Sequence, residues 1–214
     1  HADPAVSARW LAVKHWQAQR LARTYPDLLG SPRYRPASEF FLEELYGAKD
    51  FEARDAEALR VVPKLARMLP ERAVETMALA VELDETSESL DARLAEAIRL
   101  PVDVDGYARA YRETGTLAER QLQIETVDRI GQTLEKLARI PLLSGMLHMM
   151  RAPAEAAGFG HLHRFLQSGF DAFKAMGSAG EFLRTIRSRE TELMHALFAG
   201  RTAELADPEL LIRG

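Results

Sequence analysis

The sequence reads as an all-α protein on three observations. Apolar residues recur at steps of three and four along most of its 214 residues, no stretch alternates with a period of two, and proline and glycine fall where helices would begin and end. A helix buries one stripe at that spacing, whereas a half-buried strand needs strict alternation, so no sheet is expected. About nine to eleven helical segments with short connections follow, packed as a single-domain multi-helix bundle over residues 1–214.

Residues 1–24 read as an N-terminal helix whose stripe is Leu11, His15, Ala18 and Ala22, continuing to Tyr25. Residues 25–37 hold three prolines and a glycine and read as an extended connector. The bundle proper is expected over 38–214. Ser38 is placed to cap a short helix over 39–46 with Phe41, Leu42, Leu45 and Tyr46 inward; Gly47 ends it and Asp50 caps the next. In the helix over 51–69 the stripe is Ala56, Leu59, Val62, Ala66 and Leu69, and Pro63 should kink it by removing one backbone hydrogen bond. The run 84–89, "DETSES", either ends a helix or lies inside a longer one.

Further on, Thr116 with Glu119 and Ser178 with Glu181 have the spacing of capping boxes, in which hydroxyl and carboxylate each satisfy a free backbone N–H. Pro70, Pro141 and Pro153 suit the first turn of new helices, where a missing N–H leaves nothing unpaired. Gly177 suits the left-handed residue that ends a helix. Stripes recur at Leu117, Ile124, Val127, Gly131 and Leu134, and at Leu162, Phe165, Leu166, Gly169, Phe170, Phe173 and Met176.

Composition narrows the function. A net charge of −4 disfavours a polyanion as partner, because phosphate binding is driven by clustered Lys and Arg, so nucleic acid is not expected. Residues 1–36 hold six bases against two acids and residues 37–100 fifteen acids against eight bases, so the N-terminal helix should dock on the acidic segment. The chain has no cysteine, which removes disulfides, thiolate metal sites and thiol nucleophiles. Its longest apolar run, around 140–150, is shorter than the ~20 residues a membrane span needs. It begins at His1, so a trimmed or replaced start is expected, and with no signal region the expected location is cytoplasmic.

Candidate chemistry is sparse. Glu192 and His195 have the E-x-x-H spacing of diiron helices but lie off the apolar stripe Phe182, Ile186, Leu193, Leu197, so no metal site is assigned. Glu190 falls inside that stripe, where a carboxylate must be paired or protonated; an arginine from another helix is the expected partner, and a ligand-anchoring role the alternative. His148, amid Met146, Met149 and Met150, could face a haem, and the methionines could equally fill a core or form an adaptable apolar contact surface. Phe40 shares a side with Glu43 and Glu44 and is left over as a contact candidate. No phosphate loop, nucleophile elbow or zinc-protease motif occurs, and no catalytic residue is assigned.

The segments "RYRPASEFFLEELYGAKDFEARD", "VVPKLARMLP" and "FLQSGFDAFKAMGSAGEFLRTIRSRE" resemble an uncharacterised helical family of bacterial proteins. The resemblance spans most of the chain and implies a shared all-helical fold, with no activity or cofactor to carry over. The expected function is therefore a non-enzymatic protein-association module, the candidate contacts being Phe40 and the Met-rich segment and the expected state a homodimer. The alternative is a bundle whose internal pocket takes a small apolar ligand or haem.

Overall fold

The computed structural model describes residues 4–42, 56–58, 60–61 and 71–213. Among these the chain is helical almost throughout and contains no strand. The helices are α1 (Pro4–Thr24), α2 (Pro26–Gly30), α3 (Arg35–Phe40), α4 (Glu71–Ala97), α5 (Val104–Thr114), α6 (Leu117–Ala138), α7 (Pro141–Ala156), α8 (Gly160–Met176), α9 (Gly180–Phe198), α10 (Ala203–Ala206) and α11 (Glu209–Arg213). Residues 56–58 and 60–61 are helical as well. Expectations at Gly47, Asp50, Pro63 and Pro70 lie outside the described residues.

The segment 25–37 is not an extended connector. Pro26 and Pro36 each sit in the first turn of a short helix, where the fixed proline φ suits helix entry, so α2 and α3 form where proline content suggests extension. Because α3 starts at Arg35, Ser38 does not cap it; its hydroxyl donates to the Tyr34 carbonyl within the helix. Pro153 does not start a helix either, lying inside α7, whereas Pro141 opens α7 as expected. The 84–89 run lies within α4.

Thr116 and Glu119 form the predicted capping box at α6. Ser178 and Glu181 do not. α9 begins beyond Ala179 without a side-chain cap, and Glu181 instead accepts from the Tyr34 hydroxyl at 2.5 Å. Gly177 has a φ of 75°, which a residue with a side chain rarely adopts, and it turns the chain between α8 and α9.

α1 docks on α4 and carries base against acid within the chain: Lys14 Nζ lies 2.7 Å from both Glu88 and Asp91. The buried face of α1 is Val13, Trp16, Gln17 and Thr24, however, and Leu11 and His15 are exposed. The hydropathy stripe is wrong here because half of the true inner face is polar.

Two apolar clusters make the core. One gathers Val13, Trp16, Leu94, Ile98, Tyr107, Leu193 and Leu197, with Leu205 and Leu211 from the C-terminal helices. The other gathers Tyr25, Leu28, Tyr34, Phe40, Phe173, Met176, Phe182 and Leu183. Burying one such side chain stabilises the fold by about 1.5–3 kcal/mol. α9 runs through both clusters, and α6 packs along it so closely that a Cβ on Gly131 would stand 2.3 Å from Leu183 Cδ2.

Candidate functional site

Between its two apolar ends α9 carries Arg189 and Glu190, and there the helices are joined by charge. Glu190 Oε1 accepts from Arg20 Nη1 at 2.5 Å and from the Tyr25 hydroxyl at 2.7 Å. The arginine from another helix that the Glu190 spacing demanded is therefore Arg20 of α1. Arg189 holds Asp27 with two parallel bonds of 2.8 Å and donates to the Thr24 carbonyl at 3.0 Å. Gln17 Nε2 extends the network, donating to Asp91 Oδ1 at 2.9 Å and to the Tyr107 hydroxyl at 3.4 Å.

The electrostatics fix these groups in one state. Burial opposes the charge on Arg20, but the Glu190 carboxylate outweighs it and holds the guanidinium above its ordinary value. Burial, and then the same carboxylate, push the Tyr25 phenol well up, so it remains a hydrogen-bond donor. The bonds from Arg189 hold Asp27 below the usual carboxylate range. Cations and phenols locked in this way suit a structural junction better than proton transfer at neutral pH.

The Met-rich segment has the opposite character. On α7, Leu142 is 78% exposed, Met149 74%, Met146 53% and Met150 42%. Leu143 and Leu147 are half-buried and Ala154 is buried against the bundle, so the exposed stripe occupies the far side of the helix. These methionines do not fill a core. Leu142, one turn before Met146, belongs to the stripe and is the member the sequence analysis missed.

Phe40 is not an exposed contact residue. It is buried at 8% exposure, because Ala37 and Phe40 share the inner face of α3 and Gly169 of α8 leaves room for the ring. A Cβ on Gly169 would stand 2.8 Å from Phe40 Cζ. Phe165 and Phe41 complete its surroundings.

His148 is exposed on α7, its Nδ1 3.2 Å from the Ser144 carbonyl, and does not point into an interior pocket. His163 is the buried histidine of that region, its Nε2 2.8 Å from the Leu147 carbonyl, where it ties α8 to α7. Glu192 and His195 are both exposed, and no metal-binding group of three occurs among the described residues.

Two open hollows mark the surface. One, about 490 Å³, is lined by Pro36, Glu39, Phe40, Ser168, Asp171 and neighbouring alanines. The other, about 420 Å³, lies between α1 and α4 beside Val6, Trp10, Leu11 and Ala95. Neither includes His148 or Glu190, the anchors considered for a pocket.

Residues 1–204 match the family described as a domain of unknown function (DUF8198), and the chain belongs to that family. No curated protein and no solved structure matches it.

Proposed function

We propose that this member of the DUF8198 family is a non-enzymatic association module that pairs with a second copy of itself through the exposed side of α7. The observation that carries this reading is the stripe of Leu142, Met146, Met149 and Met150, four large exposed apolar side chains on one helix with no cover among the described residues. The stripe suits a two-fold contact, in which one patch meets itself. An antiparallel copy related by a two-fold axis at Met146 sets Leu142 against Met150 and Met146 against itself. Arg151 and Glu155 are the only Asp, Glu, Lys or Arg residues of α7, so little charge is desolvated when it is covered. Methionine side chains adapt to an irregular partner surface at low strain. Exposed Ile140, at the N-terminal end of the helix, widens the patch.

Sedimentation velocity across micromolar concentrations tests this. Wild type is expected to dimerise, and Met146→Asp with Met149→Asp to give a monomer of unchanged helicity. A wild type that stays monomeric, or a dimer that survives both substitutions, removes the reading.

The second reading is the binding of a small apolar molecule in the hollow beside Trp10 and Leu11, whose 420 Å³ lies within the range of ligand sites. A native mass spectrum of the purified protein separates the two. Retained extra mass on a monomer favours the ligand, and a clean dimer favours association.

A further inference from the structure

Most of the buried or half-buried cations described above face an acid: Arg20 faces Glu190, Arg189 faces Asp27, and Lys14 faces Asp91 and Glu88. Arg120 does not. Its side chain, in the first turns of α6, is only 4% exposed, yet among the described residues it has neither an ion pair nor a hydrogen bond to Nε or Nη2. Its guanidinium lies over the Tyr111 ring, 4.1 Å from the centroid, which offers a π face and no counter-charge. A guanidinium does not shed its proton to escape such a site.

A further polar atom around it is also unsatisfied. Tyr107 feels Arg20, Arg120 and Asp91, and Tyr111 feels Arg120, Glu190 and Arg20. Arg20 Nε is likewise a buried donor without a partner among the described residues. Gly115 borders Arg120. It is half-buried, and a Cβ there would stand 3.1 Å from Arg120 Nε and 3.5 Å from Nη2, so the glycine lies directly against the two unpartnered nitrogens.

We propose that Arg120 is the cationic base of a small-anion site inside the bundle, taking one singly charged anion, a halide or a small carboxylate, beside Tyr111 and Gly115. The guest supplies a direct counter-charge, which no acid among the described residues gives Arg120 as an ion pair, and accepts from Nε and Nη2. This inference is independent of self-association.

Thermal unfolding in sodium chloride or sodium formate, each replaced stepwise by sodium gluconate at fixed ionic strength, tests it. Stability is expected to rise saturably with the small anion, the folded-to-unfolded ratio gaining about 100-fold at a concentration 100 times Kd. The gain should vanish in Arg120→Met, weaken in Gly115→Ala, and persist in the surface variant Arg184→Gln. A response to chloride alone assigns a halide site, and a response to formate alone assigns a carboxylate site. Should Arg120→Met not fold, chloride-35 line broadening on wild type, reversed by formate and reduced in Gly115→Ala, carries the same information. Unfolding that ignores anion identity in wild type overturns the proposal, as does an undiminished anion response in Arg120→Met.

Discussion

Glu190 shows how a single residue can be legible in type and illegible in partner. Its place inside an apolar stripe demands a counter-charge, but Arg20 is 170 positions away, and only the docking of α1 on α9 brings the two together. Glu190→Gln should leave the helices intact and lower stability by on the order of 3 kcal/mol, because Arg20 keeps its charge in a half-closed site. For a chain of this length that is roughly 6–12 °C in Tm, and a second substitution, Arg20→Met, should recover part of the loss. Calorimetry showing no difference between Glu190→Gln and wild type would exclude a structural pair. Phe40 failed in the opposite sense. Its acidic neighbours suggested exposure, whereas its environment is set by Gly169 on a helix far along the chain. Gly169→Ala should cost about 1–3 kcal/mol by pressing on the ring, measurable by urea denaturation.

Among the elements, legibility followed local chemistry. The capping box of α6 depends on residues three apart and was readable in full; Ser178 and Glu181 have the same spacing, but Tyr34 takes the carboxylate. Backbone bonding to Thr116, followed by the bond from Arg93, holds the Glu119 carboxyl at about 2, down from 4.5. A depressed carboxyl stabilises the fold above its unfolded value and loses that contribution as pH falls through the folded one. Wild type should therefore lose stability between pH 4.5 and 2 more steeply than Glu119→Gln, as acid titration of urea midpoints would reveal. Thr116→Ala should cost about 1 kcal/mol near neutral pH. The inner face of α1 was misread for a related reason. Hydropathy assigns Gln17 and Thr24 to solvent, yet the Gln17 amide N–H and the Thr24 hydroxyl both find partners inside, which no local pattern announces.

For the whole molecule, helical class and the absence of strands among the described residues followed from periodicity alone, because the three-and-four step recurs in nearly every segment. The order of packing did not, since contacts such as α1 on α4 and α9 on α6 join segments that share no sequence signal. α9 contributes side chains to both apolar clusters, so its central amides should exchange with deuterium more slowly than those of α7, whose Leu142, Met146 and Met149 are exposed. The charged turn at Arg189 and Glu190 has a consequence for alignment. If α9 slid along its neighbours by one helical turn, about 5.4 Å, these two groups would leave Asp27 and Arg20 and enter hydrocarbon. Leucine and phenylalanine on either side tolerate exchange among themselves. The ion pairs therefore act as a key that admits one sliding position of a helix shared by both clusters, at the single level where the two halves of the core meet.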